Sequence, residues 1–275
     1  GFCVASFGGD ALGAVRLPAT LCGVYGFRPS AGSLDLNGLV PTSGALDQIA
    51  MVARSMDDIN TLATALVAPD LARALAPCRY LTLSPASLPL INEDMDAHFA
   101  YALSLLPEQP QSTELLAPLP RLGKSVRSYA ERALLSELTA LGEERCGRLS
   151  DVQARMVVRV LEQSDESFFE DTDVLRNTGR ALRAAIDDGA ILLTPAAPFP
   201  ADMHGAQVGS GMADFLMLAD VSGLPSIVIP AGRASDTMPI GLQLIGAQGS
   251  EALLIAQARM LSDRMRGYAP PTRWW

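Results

Sequence analysis

Hydrophobic residues along this chain follow two spacings, and the boundaries between them mark out the elements. Short apolar runs closed by glycine or proline lie at Leu21 to Phe27, Tyr80 to Leu83, Ala190 to Thr194, Ser226 to Ile229 and Ile240 to Ile245. These read as buried strands, and Thr113 to Ala117 adds a short candidate inside a proline-rich stretch. Elsewhere the apolar residues recur at helical intervals. Ser55 is an N-cap, with Asp57 and Asp58 in the first turn and Ile59, Leu62, Ala63 and Leu66 on one face before a stop at Pro69. Further helices are expected over Asp94 to Leu106, Ser128 to Arg145, Asp151 to Glu162, Thr172 to Asp187, Gly211 to Val221 and Glu251 to Met265. The opening segment, Gly1 to Pro18, is small and glycine-rich and reads as a close-packed loop rather than a helix. Strands alternating with helices imply an α/β fold, a mixed twisted β-sheet covered by helices on both faces. The consecutive helices of the middle suggest a helical layer over that sheet.

Composition narrows the class. At 275 residues and 49% hydrophobic content the chain can bury a large core, and we read residues 1–275 as a single domain with a variable, helix-rich middle region at 70–189. The longest apolar stretches, Ile191 to Ala197 and Ser222 to Pro230, are far too short to cross a bilayer. No positively charged, leucine-rich leader opens the chain, so a cytoplasmic protein without a membrane partner is expected. Twenty-one Lys plus Arg against 30 Asp plus Glu give a net charge of −9, the wrong sign for a nucleic-acid partner. Only one cation is a lysine, Lys124, which reads as a solvated surface residue. Cys3, Cys22, Cys78 and Cys146 are widely spaced and read as reduced, mostly buried thiols. With only His98 and His204 available, no metal site and no cofactor are expected.

The chemistry-bearing stretch is Gly8-Gly9-Asp10-Ala11-Leu12-Gly13-Ala14-Val15-Arg16-Leu17-Pro18, followed by Leu21-Cys22-Gly23-Val24-Tyr25-Gly26-Phe27-Arg28-Pro29. It resembles the second half of the signature of the amidase signature family. Matching blocks follow in order: Gly38-Leu39-Val40-Pro41, Leu46-Asp47-Gln48 and Ala53-Arg54-Ser55-Met56-Asp57-Asp58. Leu193-Thr194-Pro195, Ser222-Gly223-Leu224-Pro225 and Pro239 to Gly246 match near the far end. Several blocks in order carry far more weight than one short motif.

The resemblance implies an amide hydrolase using a serine nucleophile, a bridging serine at a cis peptide bond and a neutral lysine, with backbone N–H groups holding the oxyanion. Carried over residue by residue, it places the nucleophile at Ala14, which has no hydroxyl. The bridging serine and the lysine belong to motifs that the family places before Gly1, so the resemblance implies a single amidase-signature domain over 1–275 that lacks its N-terminal portion. Ala11, Leu12 and Gly13 would supply the oxyanion N–H groups, but Leu12 stands where the family pattern has glycine. If that position needs positive φ, leucine costs roughly 1–2 kcal/mol there. Asp10, Arg16 and Pro18 read as the structural part of the motif, the two charges paired because a buried charge must be. Ser43 and Gln48 are candidates to line the pocket. Ser6 and Thr42 are further hydroxyls, but no histidine lies near either in sequence to activate them. The expected activity is therefore that of an amidase-family protein, catalytically inactive as written, whose ligand is a small-molecule amide. The alternative is a non-catalytic binding or scaffold module.

Overall fold

The structure is a computed structural model and describes residues 3–67, 78–140, 149–187, 189–201, 211–235 and 238–270. Eight strands form one mixed sheet: β1 (Ala5–Gly9), β2 (Tyr25–Arg28), β3 (Ile49–Ala53), β4 (Arg79–Leu83), β5 (Gln111–Thr113), β6 (Ala190–Pro195), β7 (Ser226–Arg233) and β8 (Pro239–Gly246). Their order is β1-β3-β2-β7-β8-β6-β4-β5. The β4 strand runs parallel to β5 and β6, and the other pairings are antiparallel. Eight helices accompany the strands among the described residues: α1 (Arg16–Leu21), α2 (Met56–Leu66), α3 (Glu93–Ser104), α4 (Leu119–Ala140), α5 (Asp151–Glu162), α6 (Asp165–Ala185), α7 (Met217–Ser222) and α8 (Glu251–Met265).

The period-2 alternation of the strands divides these helices between the two faces. Ile191, Leu193, Ile227, Ile229, Leu242 and Leu244 turn to one side and bury against Ile59 of α2, Phe99 of α3 and Leu254 and Leu261 of α8. Leu192 and Ile245 turn to the other and meet Leu119, Leu122 and Val126 of α4, Leu175 and Leu182 of α6 and Leu218 of α7. The sheet is thus covered by helices on both faces, as the sequence pattern implies.

Four differences from the sequence expectation have physical reasons. Residues 5–9, expected as loop, form the edge strand β1, in register from Ala5 opposite Ala53 to Gly9 opposite Ile49. Its outer edge has no partner strand among the described residues and Phe7 is half exposed, so no apolar alternation marks it. The run Leu21 to Phe27 is two elements: α1 ends at Leu21, Gly23 turns the chain at φ +65°, and β2 begins at Tyr25. Pro18 is tolerated because it lies in the first turn of α1, where its missing N–H would have no partner. The α6 helix starts at Asp165 rather than Thr172, because its first turns are polar and Ser164 caps it by accepting from Ser167 N–H. Cys3 and Cys22 are exposed rather than buried, and Cys78 is partly so; Cys146 lies outside the described residues.

Candidate functional site

The glycine-rich segment leaves the end of β1, crosses the α1–α7 face of the sheet and enters α1. Its shape is set by one side chain. Asp10 Oδ1 accepts Val15 N–H at 2.8 Å and Arg16 N–H at 3.3 Å, closing the segment into a tight loop. Asp10 Oδ2 takes Arg16 Nε at 2.6 Å. At the crest Leu12 has φ +54° and Gly13 φ +76°. The left-handed backbone that a glycine would adopt freely is therefore kept with leucine in place, at a cost of roughly 1–2 kcal/mol. The Leu12 side chain is partly buried against the cluster formed by Leu46, Leu122 and Phe215, which offsets that cost. Gly13 cannot be replaced in the same way, because a Cβ there would lie 2.7 Å from Leu216 Cδ1. Ala14 follows, exposed, its N–H bonded to Ala11 O at 3.1 Å. Among the described residues, the N–H groups of Ala11, Leu12 and Gly13 have no hydrogen-bond acceptor.

Beneath the loop, polar residues interrupt an otherwise apolar sheet face. Arg16 Nη1 donates to Leu216 O at 2.8 Å and to Gln243 Oε1 at 2.9 Å, while Nη2 donates to Asp220 Oδ1 at 2.8 Å. Gln243, in the middle of β8, also accepts from Ser226 Oγ at 2.8 Å and donates to Phe215 O at 2.8 Å. Arg28 Nη1 lies 3.0 Å from the same Asp220 oxygen, and Arg28 also donates to the carbonyl of Asp10. Two arginines and two aspartates, all buried, thus neutralise one another within one cluster.

The two carboxylates are not equivalent. Burial pushes Asp10 up, but Arg16 and Arg28 and the Val15 N–H outweigh it and hold the group below the ordinary carboxylate value. Asp220 has both arginines on one oxygen, and the other has no hydrogen-bond partner among the described residues. Burial therefore prevails, and its pKa is raised to about 6. Burial lowers Arg28, whose Nε has no partner among the described residues, despite the pull of Asp220.

Ser43 and Gln48 are both buried. Gln48 donates from Nε2 to Ser30 O at 2.9 Å, accepts Ile49 N–H at 3.0 Å, and accepts Asp10 N–H on its backbone carbonyl at 2.7 Å. Its side-chain amide is thus committed to Ser30 and Ile49, while its backbone carbonyl braces the loop at Asp10. Ser43 starts the short 3₁₀ turn Gly44–Leu46, its N–H bonded to Asp47 Oδ2 at 2.9 Å. Sequence reasoning missed Asp220, Gln243 and Ser226. Their only local signal is a polar residue inside an apolar run, as in Gly241-Leu242-Gln243-Leu244-Ile245. His98 is tied to its own helix through Asp94 O at 2.8 Å, and His204 lies outside the described residues. No cluster able to hold a metal occurs among the described residues, and no described helix is long and apolar enough to cross a membrane.

Known proteins share both the motif and the fold. The family model described as Amidase matches residues 1–89 and 131–255. A glutamyl-tRNA(Gln) amidotransferase subunit from a Synechococcus species is 28% identical over 313 residues, covering 96% of this chain and 64% of that protein. Its counterpart from Deinococcus deserti is also 28% identical, covering 97% and 66%. The chain thus spans just under two thirds of the length of these relatives. Among solved structures, an amidase superposes with a TM-score of 0.80 at 22% identity, covering 95% of this chain and 63% of that one. A 6-aminohexanoate cyclic dimer hydrolase complexed with substrate gives 0.75 at 24%, covering 95% and 64%. These structural likenesses speak for the fold.

Proposed function

Because the chain belongs to the amidase family, we propose that it keeps the frame of an amide-binding site but does not hydrolyse the C–N bond. The observation that carries this reading is Ala14, an exposed methyl at the position the family motif gives to the serine nucleophile. Nothing at that atom can attack a carbonyl, and losing the nucleophile of a serine hydrolase costs on the order of 10⁶ in turnover. The ligand is a small-molecule amide, with no cofactor, and its carbonyl oxygen would be received by the N–H groups of Ala11, Leu12 and Gly13.

The test is turnover of an activated anilide by the chain and by its Ala14→Ser variant. No turnover is expected from the chain. None is expected from Ala14→Ser either, because the bridging serine and lysine of the family mechanism match no residues of this sequence. Robust hydrolysis by either protein would overturn the proposal and point to a base elsewhere in the chain.

The alternative reading, a binding module, draws support from Leu12. A loop held at φ +54° with leucine in place of glycine retains its shape at an energetic cost. Saturable thermal stabilisation by simple amides, without turnover, is the result it requires.

A further inference from the structure

A polar cleft lies within the helical layer, lined by no residue of the Asp10–Pro18 loop. It is a space of about 550 Å³ between α4, the end of α5 and the start of α6. Lys124 lies three and four residues before Arg127 and Ser128, and Glu131 four and three after them, which puts all four on one face of α4. Arg159, Glu162 and Gln163 close it from α5, and Ser167 and Asp171 from α6. That volume lies within the range of small-molecule sites.

The charges in this cleft are unevenly committed. Both oxygens of Glu131 are taken by Arg159. The buried carboxylate of Asp171 is filled by Arg121, by Ser125 Oγ at 2.9 Å and by Gln163 Nε2 at 2.9 Å; burial pushes its pKa up, but Arg121, Ser128 and Ser125 outweigh it and hold the group below the ordinary carboxylate value. Asp214 is met by Arg127 Nη1 at 2.8 Å. Each carboxylate on the basic side therefore has its cation, whereas donors remain. Lys124 is exposed and its ammonium has no partner among the described residues. Arg127 and Arg159 each bring a guanidinium with five N–H donors and use part of it. Among the described residues, the one lining carboxylate without a cation is the exposed Glu162, on the α5 side.

We propose that this cleft binds a small molecule carrying a carboxylate or phosphate group, held by Lys124 together with the free N–H donors of Arg127 and Arg159. The net charge of −9 repels a polyanion, so the site takes a compact ligand that fits within the cleft. It is independent of the state of position 14.

The sequence makes the test unusually clean, because Lys124 is the one lysine in it. Calorimetric titration with inorganic phosphate and with succinate, at fixed ionic strength against sodium chloride, reads binding directly. Peptide mapping after treatment with an amine-acetylating reagent reads protection of Lys124. We expect saturable binding of at least one of the two anions and slower acetylation of Lys124 in its presence. Lys124→Gln should weaken binding about tenfold, the size of one charge-assisted hydrogen bond. Glu162→Gln should tighten it several-fold by removing a like charge. Both positions are exposed, so neither variant threatens the fold. Phosphate binding alone and succinate binding alone would distinguish a phosphate from a carboxylate ligand. Signals no larger than those of chloride, or binding indifferent to both substitutions, would overturn the proposal.

Discussion

Replacing Asp220 by asparagine isolates the electrostatics beneath the loop. The aspartate is buried, accepts from Arg16 and is ion-paired to Arg28 through Oδ1, and its Oδ2 has no donor among the described residues. Burial raises its pKa from the ordinary 3.8 to about 6. The folded state thus keeps this proton up to about pH 6, while the unfolded chain releases it near pH 4. A group raised in the folded state contributes stability that is fully present below its unfolded pKa and is lost as pH climbs through its folded pKa. The separation between the two values, at ~1.4 kcal/mol per pH unit, makes the whole loss about 3 kcal/mol, of which about 2 kcal/mol falls above pH 4.5. Asparagine has no proton to lose. Urea unfolding of the chain and of Asp220→Asn at several values between pH 4.5 and 8 should therefore show the variant gaining on the native protein as pH rises, by about 2 kcal/mol across the window. Asp10, held below the ordinary value, loses its own contribution only as pH falls below that value, outside the window. A difference that stays constant with pH, or one that shrinks, would refute the assignment of the unpaired carboxylate to Asp220.

Other perturbations test the loop itself. Gly13→Ala meets both a positive φ and a Cβ 2.7 Å from Leu216 Cδ1, and a loss of about 2–4 kcal/mol in urea unfolding is expected. Leu12→Gly removes roughly 1–2 kcal/mol of backbone strain but loses a partly buried side chain and adds freedom to the unfolded chain, so stability should change by no more than about 1 kcal/mol. Gly123→Ala places a Cβ against the Asp214 carboxylate and should break its bridge to Arg127, seen as destabilisation of about 1–3 kcal/mol that Asp214→Asn does not add to.

How far the sequence could be read depended on the range of each interaction. The pairing of Asp10 with Arg16 lies within one motif, and the resemblance marked both as structural. Asp220 and Gln243, which complete that pairing, lie more than 200 residues away, and no local pattern connects them to Arg16. The buried strands β6, β7 and β8 were plain because both faces are apolar, whereas β1 was hidden because it lies at an edge with small or exposed side chains. Leu12 was legible as a conflict between residue and expected backbone, and the structure keeps the backbone. Gln48 could not be placed from sequence, since a glutamine suits a pocket and a buried brace equally well, and only its bond to Ser30 decides between them.

The arginine beneath the loop also bears on the order in which the chain folds. Arg16 finds its acceptors 200 residues away at Leu216 and 227 away at Gln243. Contacts of such separation form only after the entropy of closing a very long loop has been overcome. The bonds from Asp10 to the Val15 and Arg16 N–H groups are local and can form early, but the Arg16 guanidinium and the crest at Leu12 and Gly13 gain their tertiary partners only when β8, α7 and Phe215 to Leu216 arrive. The loop should therefore be set late, with substitutions at Asp220 or Gln243 accelerating unfolding while leaving the folding rate almost unchanged.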